Sequence, residues 1–285
     1  MTTYTKYTNY RESGWTLWVL AKIWNRDWWD SVIGPIEAQR PAKHPQTVEI
    51  RLPDIRGAVF LKVFHRSSWF GTFKDLWRQS KALRSLRNGE VLAELGFNVP
   101  TAIAAGERRN HHMLTRCFLL TLPVRGSPLP IFLRERYSDG GVGGHSLEKR
   151  DALNRLAQEI RRLHDLGFIH GDLVPSNILV SDAEGEGLRF FFLDNDRTRR
   201  YPTWFPQSLW KRNLVQLNRF PLAGISLQDR MRFFHSYLGR RHYVGRDRVL
   251  VHWLERKTRQ RRKECDAVDV SGSFRQLMRW DAGAS

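Results

Sequence analysis

The chain of 285 residues carries 47 Lys and Arg against 29 Asp and Glu, a formal net charge of +18. Its 41% hydrophobic content is that of a globular protein, and the length suffices for one domain of two lobes around a cleft. Two distant cysteines, Cys117 and Cys265, exclude a disulfide framework and a zinc site and fit a reducing compartment, while the basic excess draws the chain to polyanions.

Trp15, Trp18, Trp24, Trp28 and Trp29 crowd the N-terminal segment, residues 1–44. Two readings stand for it: an interfacial helix whose rings sit at a membrane surface, or a helix packed on the neighbouring lobe with tryptophan anchors. Its longest apolar stretch, Trp15 to Ala21, is broken by Lys22 and falls short of the ~20 residues a membrane-spanning helix needs. The basic, apolar and small-residue succession of a signal peptide is missing, so the expected location is the cytoplasm.

Residues 45–122 read as strand, strand, helix, strand, strand. Thr47 to Leu52 is the first strand, with a turn over Pro53 to Gly57, and Ala58-Val-Phe-Leu-Lys-Val-Phe64 is the second. Lys62 stands alone in that apolar run, where an unpaired ammonium is costly and needs a partner or a ligand. A helix begins near Leu83 and carries Glu90 and Glu94, and Gly96-Phe-Asn-Val-Pro100 turns it into a strand. Cys117, inside the apolar run Met113 to Leu120, reads as a small buried hydrophobe. Leu119 to Gly126 reads as a hinge, in which Pro123 has no N–H to donate.

Tyr137 to His145 is glycine-rich and reads as a loop, too late in the chain to cradle phosphate. Apolar residues at Leu153, Leu156, Ala157, Ile160 and Leu163 then repeat with the period of a helix, which Gly167 ends. His164 faces that stripe and reads as structural.

The most informative stretch follows: Phe168-Ile-His-Gly-Asp-Leu-Val-Pro-Ser-Asn-Ile-Leu-Val180, and later Phe192-Leu-Asp-Asn-Asp196. It places His170, Asp172 and Asn177 on one short loop and Asp194 at the end of an apolar run. Phosphoryl transfer requires a carboxylate beside the attacking hydroxyl and oxygen ligands for magnesium. Asp172 suits the first task and Asn177 and Asp194 the second, at the spacing of the H-R-D-x-x-x-x-N loop with Gly171 in the arginine position. Ile178 to Val180 and Phe190 to Leu193 read as the flanking strands, joined by a turn over Asp182 to Gly187.

This region resembles the catalytic region of the lipopolysaccharide core kinases, the Kdo and heptose kinase branch of the protein-kinase-like fold. Leu83 to Gly106, Trp210-Lys-Arg-Asn-Leu-Val-Gln-Leu-Asn-Arg-Phe220 and Arg230 to Tyr237 are similar to that branch as well, so the resemblance covers about residues 45 to 240. It implies an α+β, two-lobed kinase-like fold: a β-rich N-lobe over 45–122, a helical C-lobe over 123–264 with a basic C-terminal helix, and a polar tail over 265–285. It implies ATP and Mg2+ as cofactors. The implied roles are Asp172 as catalytic base, Lys62 on the nucleotide phosphates and His170 bracing the loop. Asn177 and Asp194 hold the metal, with Asp196 as a further metal or supporting residue. The expected acidic partner of Lys62 is Glu90 or Glu94, of which Glu90 is the better placed. No Gly-x-Gly-x-x-Gly precedes Lys62, a departure from the protein-kinase pattern.

Positive charge is densest over Arg240 to Lys263, with Val249-Leu-Val-His-Trp-Leu254 inside it: either a basic helix with one apolar face against the large lobe, or a solvated one. An anionic glycolipid acceptor explains charge and aromatics together. The expectation is a monomeric lipopolysaccharide core kinase in peripheral contact with anionic membrane, and nucleic acid is not the expected partner. A small-molecule kinase of the aminoglycoside or choline type shares the His-Gly-Asp-Leu loop but favours cationic substrates, which +18 opposes. A protein kinase needs an Ala-Pro-Glu-like segment that Arg197 to Phe205 lacks, and a basic pseudokinase has no need of Lys62, Asp172, Asn177 and Asp194 together.

Overall fold

The computed structural model describes residues 6–21, 23–40, 47–53, 55, 57–65, 79–137, 145–183, 187–202, 204, 208–222, 224–240 and 244–267. The glycine-rich loop at 138–144, the middle of the turn at 184–186, part of the turn at 53–57 and the polar tail after residue 267 lie outside the described residues. The fold is α+β, and its contacts separate two compact units. The first comprises residues 1–124 and 194–197, the second residues 125–193 and 198–285.

The first unit is a six-stranded antiparallel sheet with a helix on each face. Its strands are β1 (Tyr7–Glu12), β2 (Trp15–Leu20), β3 (Thr47–Arg51), β4 (Ala58–His65), β5 (Ala102–Asn110) and β6 (Met113–Thr121). They run in the order β1-β2-β5-β6-β4-β3. The tryptophan segment is therefore not one helix. Trp15 and Trp18 lie on β2, whose burial alternates so that Trp15, Leu17 and Val19 point inward, the period-2 signature of a strand. Trp28 and Trp29 lie on α1 (Arg26–Ala38), which starts where the Asn25 side chain accepts the Trp28 N–H at 2.7 Å. Trp15, Trp28 and Trp29 are at most 1% exposed, packed with Phe118, Leu61 and Ile36, so these three rings are core and not membrane anchors. The other face of the sheet packs Phe64, Ala105 and Cys117 against Ala82 and Leu86 of α2 (Lys81–Glu94). Burial pushes the Cys117 thiol up to about 11, as the small-hydrophobe reading requires.

The second unit opens at Arg125, just past Pro123. It contains β7 (Ser127–Pro128), α3 (Leu129–Tyr137), α4 (His145–Asp165), β8 (Phe168–Ile169), β9 (Ile178–Ala183), β10 (Gly187–Phe192), β11 (Arg199–Arg200), α5 (Ser208–Leu217), α6 (Leu227–Leu238) and α7 (Gly245–Ala267). The basic C-terminal stretch is a helix, and Arg262 on it donates to the carbonyls of Asn218 and Arg219 at 3.0 and 3.1 Å. Those groups follow the last turn of α5, where a guanidinium satisfies carbonyls with no helical partner. His164 joins three helices: its Nδ1 accepts from the Tyr237 hydroxyl at 2.9 Å, and its Nε2–H donates to Asn213 Oδ1 at 3.1 Å. Burial holds this imidazole neutral, down to about 4.

Two outcomes follow from this packing. Gly106 on β5 faces the Phe118 ring and Leu17, and a methyl there overlaps both. Gly106→Ala should lower stability by about 1–3 kcal/mol in denaturant titration, the usual cost of overpacking. For His164, the unfolded chain binds the proton between pH about 6.5 and about 4 while the folded one does not. Stability is fully present above that window and falls as the pH drops through it, by up to about 3 kcal/mol. Urea titrations of His164→Gln should show a flatter pH dependence there than the native chain.

Candidate active site

In the first unit, the inner strand β4 lies between β3 and β6 and carries Lys62 on the α2 face, with its ammonium 5.5 Å from the Phe64 ring centre. The ammonium is mostly shielded, and its partner is the carboxylate of Asp194. Asp194 takes a left-handed backbone conformation, φ +56°, uncommon for a residue with a side chain and most tolerated by Asp and Asn. The residues after it form a short 3-10 turn, Asn195–Arg197, fixed to α2. Asn88 Nδ2 donates to the Asn195 carbonyl at 2.6 Å and Arg84 Nε to the Asp196 carbonyl at 3.0 Å. Burial, and after it the charge of Asp194, pushes the Asp196 carboxyl above its usual range.

Glu90 does not sit at Lys62. It accepts from Lys6 Nζ at 3.1 Å and lies 2.7 Å from the hydroxyl of Tyr7, which is also 2.8 Å from the Ala102 carbonyl. Glu90 thus ties β1 to α2, and the expectation that it partners Lys62 is corrected. Asp194 already supplies that counter-charge.

In the second unit the loop before β9 is held by uncharged groups. Gly171 adopts φ +77°, which glycine reaches without strain and an arginine would not. Asn213 Oδ1 accepts the His170 N–H at 3.0 Å. Gln216 Nε2 donates to the Gly171 carbonyl at 2.9 Å, and its Oε1 accepts the Leu173 N–H at 3.2 Å. The two amides also bond each other at 2.9 Å. Three backbone groups around Asp172, the His170 N–H, the Gly171 carbonyl and the Leu173 N–H, are thereby held from α5. Sequence reasoning gave Asn213 and Gln216 no role, although their three-residue spacing places both on one helix face.

The His170 ring is fully buried and its Nε2–H donates to the Leu193 carbonyl at 2.8 Å, bracing the residue before Asp194. Asn177 Nδ2 donates to the Asp172 carbonyl at 2.9 Å, which fixes its amide so that Oδ1 is the atom able to ligate a cation. The Asn177 carbonyl accepts the Leu193 N–H at 2.9 Å.

Among the described residues no group of three or more His, Cys, Asp or Glu gathers as a metal cage. Magnesium seldom uses one: it takes one or two protein oxygens and completes its shell with water and phosphate. Asp194 beside the partly buried Asp196, whose carboxyl is pushed up by desolvation and then by that charge, is a repulsive pair that a cation would relieve. The donor set fits a hard divalent cation.

Residues 55–237 match the lipopolysaccharide kinase (Kdo/WaaP) family. The chain is 28% identical over 131 residues to the 3-deoxy-D-manno-octulosonic acid kinase of Vibrio cholerae serotype O1, a match covering 45% of this chain and 49% of that protein. The chain thus spans about half the length of that curated relative. Among solved structures, WaaP in complex with acyl carrier protein superposes with a TM-score of 0.59 at 20% identity, over 80% of this chain and 91% of that one. At that identity the likeness establishes the fold. With the family match running through Lys62, the loop at 168–180 and Asp194, this chain belongs to the lipopolysaccharide kinase (Kdo/WaaP) family.

Proposed function

We propose that the protein transfers the terminal phosphoryl group of ATP, with Mg2+, to a sugar hydroxyl, Kdo or heptose, of the lipopolysaccharide inner core at the cytoplasmic face of the membrane. The observation that carries this reading is the Lys62–Asp194 ion pair of the first unit, supported by the amide-clamped loop bearing Asp172 and Asn177 within the second. The acceptor O–P bond forms as the bond between the terminal phosphorus and ADP breaks, and the hydroxyl proton passes to the Asp172 carboxylate. Lys62 would steady the nucleotide phosphates, and Asn177 and Asp194 would provide the metal oxygens, with Asp196 as a further metal or supporting residue. The cation, when bound, neutralises phosphate charge as it redistributes. His170 positions the chain and touches no reacting atom.

A lipid-linked acceptor is favoured by a cavity of about 550 Å³ in the second unit. Its wall is mostly apolar, including Leu133, Leu156, Leu214, Phe234 and Leu254 from five helices. Arg230 and Arg262 also line it, both half-buried, and burial holds both guanidinium groups below their usual range. Among the described residues no carboxylate pairs with Arg230. The buried Thr258 hydroxyl in the same wall has no hydrogen-bond partner among the described residues. The carboxylates in the same wall, Asp229 and Glu255, are engaged by Lys149 and Arg259, and an apolar space with Arg230 left in its wall suits an acyl chain attached to an anionic group.

Phosphate transfer from labelled ATP to purified Kdo-bearing lipid A tests the reading. Asp172→Ala and Asp194→Ala, folded by melting temperature, should lose at least about 100-fold in turnover. Near-native turnover by Asp172→Ala sinks the assigned base. For the cavity, Arg230→Ala should raise KM for the acylated acceptor about tenfold, as loss of one charge-assisted hydrogen bond does, with kcat and transfer to a deacylated acceptor unchanged.

A further inference from the structure

We propose that Arg84 and Asn88 are positioning residues for Asp194: through them α2, rather than a carboxylate on that helix, sets the geometry of the proposed metal and phosphate site. The inference rests on the proposed phosphotransfer and deepens it.

The two residues are four apart on α2, so their side chains leave one helix face in neighbouring turns. Both reach the same target, the backbone just after Asp194: Asn88 the carbonyl of Asn195 at 2.6 Å, Arg84 that of Asp196 at 3.0 Å. Arg84 Nη1 donates also to the Gln79 carbonyl at 3.0 Å, ahead of the helix. Its other end-nitrogen lies 4.0 Å from the Asp196 carboxylate. A guanidinium is rigid and planar, so these bonds together fix its plane and hence the height of residue 196 along α2.

The target needs such support. A left-handed φ at Asp194 costs on the order of 1–3 kcal/mol and persists only where surrounding contacts over-determine it. Asn195 is buried, its carbonyl sealed by Asn88, and the whole turn Asn195–Arg197 rests on this helix. With residues 195 and 196 anchored, the Asp194 carboxylate is held at the Lys62 ammonium. Without the anchors the backbone can relax to an ordinary φ, which swings that carboxylate away. Meanwhile the acidic residue of α2 best placed to reach β4, Glu90, is committed to Lys6 and Tyr7. Asn88 and Arg84 are therefore the bonds through which α2 acts on the site.

The test uses the full chain with Arg84→Ala, Asn88→Ala and the near-isosteric Asn88→Asp, which puts an acceptor against the carbonyl. Half-saturating Mg2+ should rise by about 10- to 100-fold, the range seen when supporting bonds to metal ligands are removed. KM for the acceptor should not change, and Arg84→Lys, which keeps one donor and the charge, should recover part of the loss. Amide hydrogen exchange adds a readout independent of turnover: protection over residues 194–197 should fall in Asn88→Asp while β4 and β6 keep theirs. Native Mg2+ dependence and native protection in folded variants overturn the proposal. If the unmodified chain transfers no phosphate to any acceptor, the phosphotransfer reading fails separately. The positioning role is then decided by exchange and by the Mg2+ requirement for ATP to raise the melting temperature.

Discussion

The first unit is organised around one ion pair, Lys62 with Asp194. An ammonium on an inner strand, between β3 and β6, faces apolar neighbours and cannot be left without an opposite charge. The carboxylate that answers it comes from 132 residues later and arrives in a backbone conformation that must itself be held. With Asp194 appreciably exposed, the pair contributes little to stability. In the proposed phosphotransfer, this pair would keep two opposite charges pre-placed for a phosphate and a cation.

The second unit holds the backbone around Asp172 with two neutral amides, Asn213 and Gln216. They satisfy each other as well as the loop, so neither brings an unpaired polar atom into the interior. His164, kept neutral by burial, completes the arrangement by donating to the same oxygen that receives the His170 N–H.

Some local signals in the sequence were legible, while the strand in the tryptophan segment and the long-range partners were not. The loop at 168–180 and Asp194 were legible because their chemistry is contiguous and tied to strand ends. The helix through Leu163, ended by Gly167, was legible from its period. The tryptophan segment was misread as helix throughout because its rings drew attention from the alternation of Trp15, Leu17 and Val19, which spells a strand. Glu90 was placed at Lys62 on sequence order alone, and only three-dimensional structure reveals that Tyr7 and Lys6 from the first strand occupy it. The roles of Arg84 and Asn88 had no sequence signal at all, since both bond backbone carbonyls and a carbonyl leaves no trace in residue identity.

The helix α5 is where the site and the cavity meet within the second unit. Leu214 and Leu217 line the cavity, while Asn213 and Gln216, adjacent to them in the chain, hold the loop. Arg262, itself in the cavity wall, holds the carbonyls at the end of the same helix. One rigid element thus reads whatever fills the apolar space and grips the backbone around Asp172. A substitution at Leu214 or Arg262 acts by two routes, through the cavity and through the loop, and its effect on turnover cannot be assigned to either. Arg230 lies on α6 and lines the same cavity, where its charge also acts on Arg262. An effect of Arg230→Ala confined to KM for the acylated acceptor, with transfer to a deacylated acceptor unchanged, would separate binding in the cavity from the chemistry.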